Sequence, residues 1–183
     1  MVSLNKTEPI KDLSLIKKLG NHLKENYTAR EYILFRSMLY LALRTQDILS
    51  LQVEQIRGKY QIHFKEQKTG KTKLIEVHPE LQREIEVYTK NMEDTDYLFP
   101  SQKGKAISRE HAFRLLQQAG QDCGLPSLSG HVLRKTFCYH SYQNGTPLHV
   151  LSELLNHSSE KVTRRYIGLE QEDIKQAYYA VNF

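Results

Sequence analysis

Leu154-Leu155-Asn156-His157-Ser158-Ser159-Glu160-Lys161-Val162-Thr163-Arg164-Arg165-Tyr166 is the stretch on which the reading of this chain turns. An apolar run from Pro147 closes at Leu155, His157-Ser158-Ser159 signals a turn, and Lys161 to Tyr166 returns to helical composition. Singly, these residues say little. A His closing an apolar helix is usually a cap or a core residue, and any one of 11 tyrosines packs more often than it reacts. The stretch gains weight from Leu128-Ser129-Gly130-His131-Val132-Leu133-Arg134 upstream. There His131 and Arg134, three apart, lie on one helix face with Cβ atoms about 5–6 Å apart, able to grip one phosphate. A His-x-x-Arg pair alone arises often by chance; its order and context carry the signal.

Outward from these segments the chain is mostly helical. Asp12 is an N-cap candidate for an amphipathic helix carrying Leu13, Ile16, Leu19 and Leu23. A nearly apolar helix from Ala29 through Leu43 belongs in the core, and Leu49 and Leu51 continue the pattern in a short helix after Thr45. From Val53 to Val77 the period changes to two, with Tyr60, Ile62 and Phe64 alternating and Leu74 to Val77 forming a second β-rich run. Lys68-Thr69-Gly70-Lys71 between them suits a hairpin turn. Pro79 and Ser108 each open a further helix, and Leu128 to Gln143, Pro147 to Leu155, Lys161 to Tyr166 and Glu170 to Tyr179 complete the set. The fold class expected is α+β, mainly α-helical with a small three-stranded antiparallel sheet.

The 183 residues suit one domain, and 39% hydrophobic with 26% charged residues is ordinary globular composition. A net charge of +5 and a pI near 9.1 favour an anionic partner. Cys123 and Cys138 lack CxxC spacing and read as buried free thiols of a reducing compartment. No run approaches the ~18 apolar residues of a membrane span, and Met1 to Glu8 lacks a signal peptide's apolar region, so a cytoplasmic protein is expected. The eight histidines show neither HExxH nor clustered ligand spacing, so no metal site and no cofactor is expected.

The whole set resembles the tyrosine recombinase, or phage integrase, family. That family's motifs are an Arg after an apolar helix, a Lys in a β-hairpin, His-x-x-Arg, a further His or Trp, and a nucleophilic Tyr, in this order. The chain supplies Leu41-Ala42-Leu43-Arg44-Thr45-Gln46-Asp47, with Asp47 where an acid is usual, then Gln67-Lys68-Thr69-Gly70-Lys71, Gly130-His131-Val132-Leu133-Arg134 and Leu155-Asn156-His157-Ser158-Ser159. Tyr166 follows His157 by nine residues, the family's usual spacing, and the ordered set covers most of the chain.

The resemblance implies a site-specific DNA recombinase or integrase that cleaves and rejoins strands through a covalent 3′-phosphotyrosyl intermediate, without metal or ATP. Tyr166 would be the nucleophile and Arg44 and Arg134 the phosphate clamp, since a guanidinium stays charged and presents a planar fork. A free phenol titrates near pH ~10, so Tyr166 needs a proton acceptor, for which His131 is best placed. Lys68 would protonate the departing 5′ oxygen, with Lys71 and Lys73 close enough in sequence to compete for that role. His157 would hydrogen-bond a nonbridging oxygen, and Asp47 would orient a neighbouring side chain. Lys71, Lys73, Arg164 and Arg165 are candidate DNA-binding residues; a solvated hairpin and a solvated helix face are their plain alternatives. The partners implied are double-stranded DNA and further copies of the chain, a homo-oligomer, by family habit a tetramer, assembled on it.

The chain departs from the pattern in small ways: Ala42-Leu43 precede Arg44 where Gly-Leu is common, Asn156 stands for a frequent Gly, and Lys135 for a frequent His. Neither of the first two is expected to touch a catalytic group, and Lys135 is a tolerable replacement. The larger departure is architectural. Residues 1–183 read as a single catalytic domain without the N-terminal core-binding domain most members carry. Either the chain is a fragment or it is a single-domain recombinase like the fimbrial inversion enzymes, and fewer phosphate contacts predict weak, weakly salt-dependent DNA binding. Residues 168–183 form an expected tail helix that either docks on a neighbouring protomer or folds back. Two other functions stay open: a type IB topoisomerase-like activity, and a DNA-binding regulatory module that keeps the fold.

Overall fold

In the computed structural model, which describes residues 7–169, 175 and 178–180, the first helix starts where the sequence places its cap. The Asp12 carboxylate accepts the Ser14 amide at 2.7 Å and opens α1 (Leu13–Asn26), which buries Leu19 and Leu23. A reciprocal box between Thr28 and Glu31 opens α2 (Ala29–Tyr40), the central helix, with Ile33, Leu34, Phe35 and Met38 in the core. The apolar run continues to Leu43, but α2 stops at Tyr40 because Ala42 takes the left-handed φ of 50°. That turn leaves Arg44 extended as the N-cap of α3 (Thr45–Leu49), so the arginine leaves the backbone at a helix start.

The sheet has two strands among the described residues, not three. Val53–Ile56, apolar enough for a strand, coils into the short helix α4, because the Gln55 side chain reaches back to the Gln52 amide at 2.8 Å. β1 (Gln61–Lys65) pairs antiparallel with β2 (Thr72–Glu76), Phe64 opposite Lys73. Gly70, at φ 68°, donates to Glu66 O at 2.9 Å and turns the hairpin. Isolated bridges link Gln52 with Tyr97 and Pro100 with Ala106.

Next come α5 (Pro79–Thr89), α6 (Arg109–Cys123), α7 (Gly130–Gln143), α8 (Leu148–Leu155) and α9 (Glu160–Tyr166). Ser108, Ser129 and Ser159 cap α6, α7 and α9 by accepting amides of the first turns. Most of the expected tail helix, Glu170 to Tyr179, lies outside the described residues. One core gathers α1 to α7 around Phe35 and Leu34; a smaller one joins α7, α8 and α9 through Cys138, Leu151, Leu155 and Ile167. The second core sets the helix that carries Tyr166 against the helix that carries His131. Both cysteines are buried and free, and among the described residues no helix is long and apolar enough to cross a membrane.

Gly130, the first residue of α7, sits where α2 and α3 press closest. A Cβ there would collide with the Thr45 hydroxyl and lie 3.2 Å from the Met38 sulfur. Replacing Gly130 by Ala is therefore expected to lower stability by about 1–3 kcal/mol through overpacking. Urea denaturation measures it, and an unchanged midpoint would mean that the α2–α7 interface has room to give.

Candidate functional site

The elements converge on a cleft of about 870 Å³ walled by Arg44, Lys68, Arg109, Arg114, His131 and Arg134. Five of the six are formally cationic at neutral pH, and they come from four separate parts of the chain. Arg134 is 6% exposed; its Nε donates to the Ala42 carbonyl at 2.6 Å, and its Nη2 is buried without a partner. Burial pushes its pKa below the usual guanidinium value, and Arg44 nearby adds to the shift. A guanidinium held by one edge with an orphaned donor on another is suited to an incoming anion.

Tyr166 closes α9 between two imidazoles. Its hydroxyl lies 3.3 Å from His131 Nδ1, and the rings of His131 and His157 each stand edge-on to the phenol at 5.0 Å. Burial pushes the phenol up to about 12, against the opposing pull of Arg134 and Arg44. Lys135 Nζ lies 5.2 Å from the centre of the same ring and donates to the Thr7 carbonyl at 2.5 Å. His157 Nδ1 pairs with the Thr163 hydroxyl at 2.9 Å, which in turn pairs with Ser152 at 2.8 Å. This chain of hydroxyls fixes the ring's rotation and commits Nδ1, leaving Nε2 as its other polar atom.

The hairpin borders the cleft at Gln67 and Lys68, and behind them stands a carboxylate that no sequence motif marks. Glu66, 1% exposed at the end of β1, accepts from Thr69 Oγ1 and Asn156 Nδ2, each at 2.7 Å, and lies 3.0 Å from Arg44 Nη1 and 3.1 Å from Lys73 Nζ. Burial alone would raise its pKa; the Thr69 hydrogen bond, then Lys73 and Arg44, overcome that and bring it down to about 2. Its signal was in the alternation: Ile62 and Phe64 point inward, and Glu66 is next in that phase.

Several expectations change. Lys73, expected to meet DNA, is tied to Glu66 and to the Leu154 carbonyl at 2.5 Å, so it is a strut inside the site. Asp47, 1% exposed, holds main chain rather than a side chain: Oδ1 accepts the Gln67 amide at 3.0 Å, beside Lys68. Asn156, expected to touch no catalytic group, takes the left-handed conformation at φ 56° and binds the carboxylate that pairs with Arg44. Lys71 is exposed on the hairpin, Arg165 is exposed and Arg164 half-buried on α9. Arg109 and Arg114, on α6 across the cleft, are not marked in the sequence, where the cap at Ser108 and the apolar Ala112, Phe113 and Leu116 identify the helix and not its arginines.

His131 and His157 both titrate below the ordinary imidazole value. For His131 the causes are partial desolvation, then Lys135, Arg134 and His157; for His157 they are desolvation, then Arg134, Arg44 and Lys73. The unfolded chain therefore takes up these protons first as pH falls. Stability is complete above about pH 6.5 and is lost as pH drops through that value toward the depressed folded ones. Urea midpoints between pH 8 and 5 should show this decline, shallower in His131→Gln; a flat profile for wild type would contradict the two shifts.

The phage integrase family model matches residues 12–173. A probable integrase/recombinase of Bacillus subtilis (strain 168), YoeC, is 41% identical over 172 residues, 93% of this chain and 94% of that one. Among solved structures, the catalytic domain of bacteriophage HP1 integrase superposes with a TM-score of 0.65 at 23% identity, over 87% of each chain. The Tn1549 transposon integrase in complex with a circular intermediate DNA gives a TM-score of 0.74 at 18% identity, over 90% of this chain and 62% of that one. At such identities these two structures speak to the fold.

Proposed function

The chain belongs to the phage integrase family, and on that premise we propose that it is a site-specific DNA recombinase that cuts and rejoins strands through a 3′-phosphotyrosyl intermediate. The observation that carries this reading is the Tyr166 hydroxyl, 3.3 Å from His131 Nδ1, beside a partnerless donor of Arg134. A binding module has no use for a tyrosine held against a base.

The step follows from the groups. Tyr166 Oη attacks the scissile phosphorus while His131 takes its proton, a P–O bond to tyrosine forms, and the P–O5′ bond breaks. Charge gathering on the nonbridging oxygens meets Arg44, Arg134 and His157 as donors. Lys68, on the cleft wall, protonates the leaving 5′ oxygen; Lys73 is engaged with Glu66. A 5′ hydroxyl then attacks the phosphotyrosyl bond in reverse, so the energy of the broken strand is conserved and no nucleotide is hydrolysed. A neutral imidazole is needed at the start, and the depressed titration of His131 provides one at neutral pH.

Duplex DNA is the partner, as in the Tn1549 integrase complex. Arg109 and Arg114 across the cleft, with Lys71, Arg164 and Arg165, supply charge for its backbone. Residues 1–183 act as one catalytic domain, in keeping with the 94% of the Bacillus relative that the chain spans. The protein works in the cytoplasm, as a homo-oligomer, a tetramer, assembled on its site.

A nicked suicide duplex, which loses the short 5′ strand and traps the enzyme, tests the reading. Wild type should form a covalent adduct, Tyr166→Phe none, and Arg134→Lys or Arg44→Lys should cleave on the order of 10²–10³-fold more slowly. An undiminished adduct with Tyr166→Phe would sink the assignment. Relaxation of plasmids without defined sites would instead mark a topoisomerase.

A further inference from the structure

Glu66 meets four polar side chains around the site. Its Oε2 meets Arg44 Nη1, Thr69 Oγ1 and Asn156 Nδ2, and its Oε1 faces Lys73 Nζ, which also donates to the Leu154 carbonyl. Those partners belong to three separate segments. Arg44 opens α3; Thr69 and Lys73 belong to the hairpin that carries Lys68; Leu154 and Asn156 end α8, just before His157. Asp47 Oδ1 fastens the next residue of the hairpin through the Gln67 amide.

We propose that Glu66 is a positioning residue for strand transfer: one buried carboxylate fixes Arg44, the Lys68 hairpin and the His157 turn in mutual register before any phosphate is present. The proposal rests on the recombinase reading above. Arg44, Arg134, Lys73 and His157 crowd one region, and like charges brought together without water repel. An anion among them offsets that repulsion. DNA supplies such an anion only when bound, whereas Glu66 supplies it permanently. It grips Arg44 by Nη1, and the same side chain lines the cleft, so the arginine reaches a substrate oxygen without leaving its anchor. Asparagine and lysine beside the carboxylate carry the constraint to His157 and the hairpin.

Glu66→Gln keeps the shape and removes the charge. On the suicide duplex, Glu66→Gln is expected to slow single-turnover cleavage on the order of 10²-fold, with DNA affinity nearly unchanged, because reacting groups are misplaced rather than lost. In an Arg44→Ala background the same substitution should cost clearly less than in wild type, since part of its effect passes through Arg44. Equal losses in both backgrounds would overturn the proposal. A second readout needs no catalysis: in 15N-arginine NMR, an anchored Arg44 guanidinium shows slow rotation with separate Nη signals, which Glu66→Gln should collapse. Unchanged Arg44 signals overturn the proposal as well. A wild type that cleaves no duplex would sink the recombinase reading while leaving the arginine spectrum to decide on Glu66. Should Glu66→Gln not fold, Glu66→Asp keeps the charge at shorter reach and should give both signatures in weaker form; wild-type behaviour in Glu66→Asp on both readouts would count against the proposal.

Discussion

A carboxylate without water must be surrounded by donors, and that requirement at Glu66 organises this molecule's functional end. Two hydrogen bonds, from Thr69 and Asn156, and two ion pairs, with Arg44 and Lys73, surround it, and these partners come from separate parts of the chain. A buried ion pair is weak evidence of stability, since desolvating both partners offsets most of the attraction. Its worth lies in geometry: leaving one partner buried and unpaired is costly, so the arrangement has few alternatives.

The rest of the fold serves the same convergence by different means. Ala42, strained into the left-handed region, turns α2 into α3 and at once aims its carbonyl at Arg134. Gly130 lets α7 start against Met38 and Thr45, which brings His131 to the rim. The small core under α7, α8 and α9 holds Tyr166 where His131 can reach it. Hydroxyls of Thr163 and Ser152 set the His157 ring from behind. Apolar packing brings the helices together to within a few ångströms, and short polar contacts settle the remainder.

Electrostatically the site is built to be incomplete. Arg134 keeps a buried donor without a partner, both histidines resist protonation, and the phenol resists ionisation. The two histidine shifts reflect desolvation beside excess positive charge, whereas the phenol is raised by burial against that charge, and a phosphate diester is the class of ligand that would relieve the excess. Such a site is better matched to a transition state rich in negative charge than to any neutral ligand.

Much of this was legible in the sequence, for reasons that are local. Caps at Asp12, Ser108, Ser129 and Ser159, helical spacing of apolar residues and the Gly70 turn are properties of neighbouring residues, so they survive without a third dimension. The ordered series Arg44, Lys68, His131, Arg134, His157, Tyr166 was legible through its resemblance to the phage integrase motifs, which are matched by order and spacing. The period-two stretch read from Val53 begins instead with a helix, because a capping box between Gln52 and Gln55 competes with β-propensity, and periodicity cannot see it. The contacts of Lys73 and Asn156 were not legible, because Leu154 lies 81 residues from Lys73 and Glu66 lies 90 from Asn156, and only burial decides whether a lysine is a solvated charge or an internal strut. The sequence by itself thus determined which chemical groups this protein has and in what order. Tertiary structure alone decided which of its charges are paired, because pairing depends on water exclusion, and water exclusion is a property of the packed whole.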